Sequence, residues 1–373
     1  MNLVIHDFPA EEWNRIADRY KDWNVISDHG GIRPCIGCFC CWTSGTGECV
    51  FKDGYHKMCA LIHEADEMVV MSRYTYGGFS SFVKNVFDRS IGYVLPEFET
   101  AYGEMHHKRR FSEVKPVTFC FRSDHFSEEE KEKAWRYVNA VCRNLRGTVK
   151  DVIFEESAAE AVSAKNAASP AKRSGILFID CSLRASRSNT RVFLKKLKRY
   201  LGLPAHMVSL AACADPVKIS NAVRRAETVV MGIPLYVDGI PASALRVMEE
   251  VEKSGAGRGC KIYAVVNNGL YESGQNENLL SMINDWCAKS GCEYRGGLAI
   301  GAGEVVGTLM RGRKWPLWPV QNALSGLVHL AKLIEADRKT EDIYADPYYF
   351  PRWLYILIAN TNWQRLKKAA RKS

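Results

Sequence analysis

The chain has no apolar run long enough to cross a membrane. The longest near its C-terminus, Trp353 to Ala359, stops well short of the roughly 20 residues a spanning helix takes. The opening residues, Met1 to Asp7, lack a basic segment ahead of an apolar one, so a soluble cytoplasmic protein is expected rather than a secreted one. Missing too is a G-x-G-x-x-G run with an acidic residue about twenty positions on, which leaves a dinucleotide Rossmann site without support. Asp and Glu vanish from Pro347 to Ser373, where Arg352, Arg365, Lys367, Lys368, Arg371 and Lys372 stand alone. Six of the net nine positive charges therefore sit in one tail. The nearly neutral body argues against nucleic acid as a partner, and the tail reads as a solvated helix end or a contact for an anionic surface.

A composition of 47% hydrophobic and 25% charged residues removes the disordered, collagen-like and disulfide-miniprotein classes. The length suggests two domains, each able to bury a core. Glu155 to Arg173, rich in Ala and Ser and without an aromatic residue, reads as a linker. The expected domains are then 1–154 and 174–310, joined by a linker at 155–173, with a C-terminal helical extension over 311–373 that is aromatic and basic.

Each half opens with a short apolar strand, Leu3-Val4-Ile5 ending at Asp7 and Ile176 to Ile179 ending at Asp180. Helical stretches and further strands follow in alternation: Trp23 to Ile26 and Val117 to Phe121, then His206 to Leu210, Ile262 to Val266 and Leu298 to Ile300. That alternation predicts an α/β fold of two doubly wound parallel-sheet domains in tandem, each flavodoxin-like, with ligands at the carboxyl ends of the strands. The third-strand regions align without a gap at an offset of 161 residues, Met68 on Val229 and Gly78 on Gly239, which points to an internal duplication.

In the second half the first strand runs into Asp180-Cys181-Ser182-Leu183-Arg184 and then Ser188-Asn189-Thr190 before a helix. Small hydroxylated residues at a helix N-terminus can cradle a phosphate, and Ser188, Asn189 or Thr190 can equally be a plain N-cap. This loop resembles the FMN-phosphate loop of the NADPH-dependent FMN reductase family. The resemblance, which covers about Gly175 to Gly303, implies FMN held by Ser182, Arg184, Ser188, Asn189 and Thr190. It also implies that the ring lies against Pro234, Leu235, Tyr236, Val237 and Asp238 and against Asn267, Asn268, Gly269 and Tyr271.

Five of the thirteen cysteines fall between Cys35 and Cys49, while Cys120, Cys142, Cys181, Cys213, Cys260, Cys287 and Cys292 are scattered and read as small buried hydrophobes. In a protein without a secretory signal such a cluster reads as metal or redox ligands before it reads as disulfides. Cys35, Cys38, Cys41 and Cys49 give C-x2-C-x2-C-x7-C, with Cys40 an extra thiol inside the loop. The motif, with Tyr76-Gly77-Gly78, Lys84 and Asp88-Arg89 beyond it, resembles that of the iron-sulfur flavoproteins over Leu3 to Arg89. The resemblance implies a [4Fe–4S] cluster on those four cysteines. Zinc, a redox thiol pair, or thiols without metal are the other readings.

The halves depart from these patterns in complementary ways. Asp7-Phe8-Pro9-Ala10-Glu11-Glu12 offers carboxylates and a proline where a phosphate cradle needs hydroxyls and free N–H groups, so FMN phosphate is not expected there. Arg73 stands where the second half has Pro234. A cluster-bearing half and a flavin-bearing half, paired as a pseudo-dimer with further oligomerisation left open, would convert two-electron into one-electron transfer. No general acid–base pair is evident, so no catalytic residue is assigned.

Three functions compete. One is an FMN-dependent oxidoreductase or electron-transfer flavoprotein with a small-molecule or protein redox partner. The second is an NAD(P)H-dependent quinone, azo or FMN reductase without iron, and the third a non-enzymatic redox sensor or scaffold. His106-His107-Lys108-Arg109-Arg110 reads as a basic loop, and Glu128–Lys133 and Asp151–Glu156 read as helix surface charge.

Overall fold

Two rounds of β–α alternation build two parallel sheets in the computed structural model, which describes residues 1–156, 173–312 and 318–371. Most of the expected linker, Trp315 and Lys372 lie outside the described residues. The chain divides into two compact units, the first from the N-terminal part together with residues from Ile356 onward, the second ending at Tyr355.

The first unit contains β1 (Asn2–His6), α1 (Ala10–Asn14), β2 (Trp23–Ile26), α2 (Cys40–Thr43), α3 (Met58–Glu64), β3 (Met68–Arg73) and α4 (Ser81–Arg89). A hairpin of β4 (Val94–Ala101) and β5 (Glu104–Arg109) follows, then β6 (Pro116–Ser123), α5 (Glu128–Leu145) and β7 (Thr148–Glu156). The parallel sheet runs β2-β1-β3-β6-β7, the doubly wound order of flavodoxin-like folds, whose ligand crevice opens where the order reverses between β1 and β3. Around Val4, Val69, Met71 and Cys120 pack Phe8, Trp13, Ile16, Tyr20 and Trp23.

The second unit contains β8 (Ile176–Asp180), α6 (Asn189–Tyr200), β9 (Ala205–Ser209), α7 (Pro216–Arg225), β10 (Thr228–Pro234), α8 (Ala242–Lys253), β11 (Lys261–Asn267), α9 (Glu277–Ser290) and β12 (Glu293–Ile300). After these come α10 (Gly303–Arg311), α11 (Gln321–Glu335) and β13 (Ile343–Ala345); the last helix, α12 (Arg352–Ala370), belongs to the first unit from Ile356 onward. The sheet order β9-β8-β10-β11-β12-β13 repeats the first unit's order and adds an edge strand. That strand, β13, pairs with β12, so the sheet draws its last member from the C-terminal extension. Central strands such as β8 and β10 are buried along almost their whole length, as parallel strands covered on both faces must be.

Local chemistry sets the helix ends. Ser127 and Glu130 form a capping box at α5. Asp215 accepts from Val217 and Lys218 N–H ahead of Pro216 at α7. Two expectations fail here. Asp151–Glu156 belongs to β7 and not to a helix, because pairing with β6 outweighs the charged composition. His106 to Arg109 is strand, not loop: β4 buries alternate residues, and β5 completes the antiparallel ladder.

The internal repeat extends to backbone geometry. Thr75 and Gly78 form an isolated antiparallel bridge, and so do Tyr236 and Gly239, at the same offset as the strand match. Between them the chain takes two successive left-handed residues, Tyr76-Gly77 in one unit and Val237-Asp238 in the other. The register corrects the strand-end match, however. His6 lies opposite Met71, and Asp180 lies opposite Gly232, so with Met71 equivalent to Gly232 the counterpart of Asp180 is His6 and not Asp7.

Candidate functional site

At the carboxyl edge of the second sheet, β8 ends in Asp180, whose side chain has no exposed surface. Its Oδ1 accepts from Ser182 N (3.1 Å) and Ser188 Oγ (3.4 Å), and its Oδ2 from Arg191 Nε (2.7 Å) and Ser209 Oγ (3.4 Å). Burial raises the Asp180 carboxyl above the usual range even against these donors. Ser188 caps α6 through Arg191 N (3.0 Å), and the Ser182 hydroxyl accepts from Arg184 N (3.3 Å). Thr190 Oγ1 donates to Asn267 Oδ1 (2.7 Å), tying the loop to the end of β11.

Two further donors of the loop converge on a single group. Arg184 Nη1 (2.9 Å) and Asn189 Nδ2 (2.8 Å) both donate to Oε2 of Glu304, in the first turn of α10. Gly307, one turn further along α10, lies so near Asn189 that a Cβ there would come within 2.6 Å of it. The loop is thus an oxyanion cradle, and the oxyanion it holds is internal. Its donor set suits a phosphate, but a phosphate reaches Arg184 and Asn189 only when Glu304 gives way. Asp180, Arg191, Ser209 and Glu304 were not anticipated, and no local signal marks Glu304, which lies 120 residues from Arg184.

The two segments expected against a ring flank this cradle. Pro234, Leu235 and Tyr236 are half-buried and Asp238 is buried. Val237 sits at φ 38° and Asp238 at φ 58°, a left-handed pair that costs a β-branched residue energy and persists only when its surroundings enforce it. Asn267 and Asn268 are buried, Gly269 is exposed and Tyr271 half-buried; the Asn268 side-chain Oδ1 has no partner. Tyr355 Oη donates to Gly269 O (2.7 Å), Tyr271 Oη to Phe350 O (2.8 Å), and Arg352 pairs with Glu272 at 2.7 Å. The start of the C-terminal extension's last helix therefore packs on the loop after β11.

In the first unit the equivalent strand end is closed. Both Asp7 carboxylate oxygens accept from Arg73 N at 3.1 Å. His6 is buried, stacks on Trp13 at 3.8 Å and leaves Nε2 without a partner. Burial and the neighbouring His29 lower its pKa to about 4.

The cysteine loop follows β2. Phe39 takes a left-handed conformation to start α2, and Gly47 N donates to Cys41 O (3.1 Å). Arg89, fully buried on α4, donates to Phe51 O (3.0 Å) and pairs with Asp53; Arg33 lies over the Phe51 ring at 3.9 Å. Phe39 and Trp42 stack at 5.0 Å, and Trp363 of α12 meets both edge-on at 5.3 Å. Burial first, then Asp88, Cys41 and Cys49, raises the Cys35 thiol, and burial with Cys38 and Cys49 pushes Cys41 up to about 12. Even so, among the described residues no three His, Cys, Asp or Glu side chains are grouped to hold a metal ion.

No protein-family profile matches the chain, and no curated protein matches its sequence. Solved structures overlay in part, among them the following three. A FMN-dependent NADH-azoreductase from Bacillus anthracis, in complex with FMN, is 12% identical over 43% of this chain and 100% of its own, with a TM-score of 0.32. Azoreductase AzrA is 17% identical over 44% of this chain and 100% of its own, with a TM-score of 0.31. Rubredoxin oxygen:oxidoreductase from the anaerobe Desulfovibrio gigas is 11% identical over 87% of this chain and 80% of its own, at 0.28. The flavodoxin-like fold rests on the two strand orders themselves. Among the described residues no helix is long and apolar enough to cross a membrane.

Proposed function

We propose that the chain is an FMN-dependent oxidoreductase whose flavin belongs to the second unit. The observation that carries this reading is the oxyanion cradle at the switch point, where Arg184 and Asn189 already grip a carboxylate at the N-terminus of α6. In this reading Ser182, Arg184 and Asn189 bind the phosphate, with Ser188 and Thr190 holding the loop in shape. The strained turn at Val237-Asp238 and the loop Asn267 to Tyr271 orient the ring, and Tyr355 keeps water from that loop. FMN supplies acceptance of a hydride as a two-electron unit, and the protein contributes position and electrostatics.

The finer reading adds a [4Fe–4S] cluster on Cys35, Cys38, Cys41 and Cys49 and rests on the spacing of that loop. The iron-free alternative is an NAD(P)H-dependent quinone, azo or FMN reductase, which needs only the flavin site of the second unit. Anaerobic purification with flavin and iron measured on one sample separates them. Flavin without iron selects the reductase, both together the coupled protein, and a colourless sample with no FMN uptake sinks the flavin reading. Arg184→Ala should weaken FMN binding by about tenfold, the loss of one charge-assisted contact.

A further inference from the structure

Three cysteines of the second unit that are scattered in sequence meet at the amino ends of β11 and β12. Cys287 lies in the last turn of α9, Cys292 just beyond the helix, and Cys260 just ahead of β11. The cause is local. Gly291 ends α9 at φ 70°, and both Gly291 N and Cys292 N (2.9 Å) donate to Cys287 O. This six-to-one closure is the Schellman motif, which brings together the side chains of the third residue before the cap, Ser290, and the second residue after it. Here those residues are Cys287 and Cys292.

The surroundings distinguish the two thiols. Cys287 and Cys260 are buried, while Cys292 is partly exposed. Ser290 Oγ donates to Trp286 O (2.7 Å) and lies 3.3 Å from Cys292 Sγ, while the Cys292 thiol donates to Gly257 O (3.2 Å). A Cβ on Gly257 would come within 2.4 Å of that sulfur, so glycine leaves room for it. The Arg173 guanidinium, anchored on the Val223, Ala226, Ala256 and Arg258 carbonyls, adds positive charge close by. Contact with Cys287, then Ser290 and Arg173, lowers the Cys292 thiol below its ordinary value, whereas burial raises Cys287. The helix C-terminus, burial and the Gly257 carbonyl oppose a thiolate there, and the Cys287 thiol and the Arg173 guanidinium favour it.

We propose that Cys292 and Cys287 are a redox-active thiol pair, Cys292 the nucleophile and Cys287 the resolving thiol, oxidised by a hydroperoxide. The Cys292 thiolate attacks one peroxide oxygen; the S–O bond forms, the O–O bond breaks, and the departing hydroxide takes a proton to leave as water. The Cys287 sulfur then attacks the sulfenic sulfur; the S–S bond forms, the S–O bond breaks, and a second water carries off the Cys287 proton. The thiols lose two electrons and hydrogen peroxide becomes two waters. This pair is independent of the flavin reading, since neither sulfur lies at the carboxyl edge of the sheet.

The test uses the full chain, treated with hydrogen peroxide in steps, alkylated and digested with trypsin. Cleavage after Arg258, Lys261, Lys289 and Arg295 puts the three cysteines in separate peptides, 259–261, 262–289 and 290–295. The expected product is 262–289 joined to 290–295, lighter by about 2 Da than the two thiol peptides together and separated by reductant. In Cys287→Ser the sulfenic acid at Cys292 should persist and give a severalfold higher yield of dimedone adduct. Arg173→Gln should slow alkylation of Cys292 at neutral pH by about tenfold, as a raised thiol pKa requires. A cross-link from Cys292 to Cys260, or no cross-link when exposed cysteines are already oxidised, overturns the assignment. So does equal dimedone labelling of wild type and Cys287→Ser.

Discussion

Glu304 is the side chain on which the candidate flavin site turns. Its carboxylate is bound where an incoming phosphate would make its contacts, so ligand and side chain compete. An intramolecular competitor lowers apparent affinity by the fraction of molecules it occupies. One charge-assisted contact in a half-exposed setting is worth about 1.4 kcal/mol, or tenfold. Glu304→Ala should therefore tighten FMN binding about tenfold, read by quenching of flavin fluorescence. Weaker binding would instead make Glu304 part of the binding surface.

Two buried imidazoles give a pH signature at the same scale. The folded-state pKa of His6 is about 4, against 6.5 for a free imidazole. That of His107, which burial lowers among Trp42 and Phe98, is also about 4. Between those values the unfolded chain binds protons that the folded chain refuses, so stability falls as pH drops from 6.5 toward 4 and levels off below. Denaturant midpoints across that window should show the decline, and His6→Gln should flatten it. An unchanged slope in the variant would assign the decline to other groups.

Among the elements, the cysteine loop depends on close backbone approach. A Cβ on Gly92, between α4 and β4, would stand 2.0 Å from Gly47 O. Arg110 Nε donates to Gly92 O (2.7 Å) and its Nη1 to Gly45 O (2.9 Å). Gly92→Ala must push the loop away, at a cost of about 3 kcal/mol. A lower Tm together with faster alkylation of Cys41 and Cys59, which pack beneath that loop, is the expected outcome; an unchanged Tm would show that the loop yields freely. The last helix anchors to the same unit: Asn360 exchanges hydrogen bonds with both Phe98 backbone groups at 2.7 and 3.0 Å, and Lys367 pairs with Glu97 at 2.6 Å. Part of the basic tail is thereby neutralised within the protein.

For the whole molecule the two units share one strand order but not one chemistry. The second closes its first βα loop around donors; the first closes it with Asp7 on Arg73 N and Pro9 opening α1. The chain should therefore bind one FMN, and titration to saturation should end at that ratio. Two per chain would mean that the Asp7 turn opens.

The strands, the tandem arrangement and the offset between the halves were legible in the sequence, because buried parallel strands must be apolar runs and tight turns impose their own residues. The cysteine spacing and the hydroxyl loop were legible for the same local reason. The pairing of Cys287 with Cys292 was not, since their contact depends on α9 ending at Gly291. Only the tertiary structure decided which anion fills the cradle and which residue stands opposite which across the sheet. Those outcomes depend on residues far apart in the chain, and the free energy of a contact between them depends on the packing that brings them together.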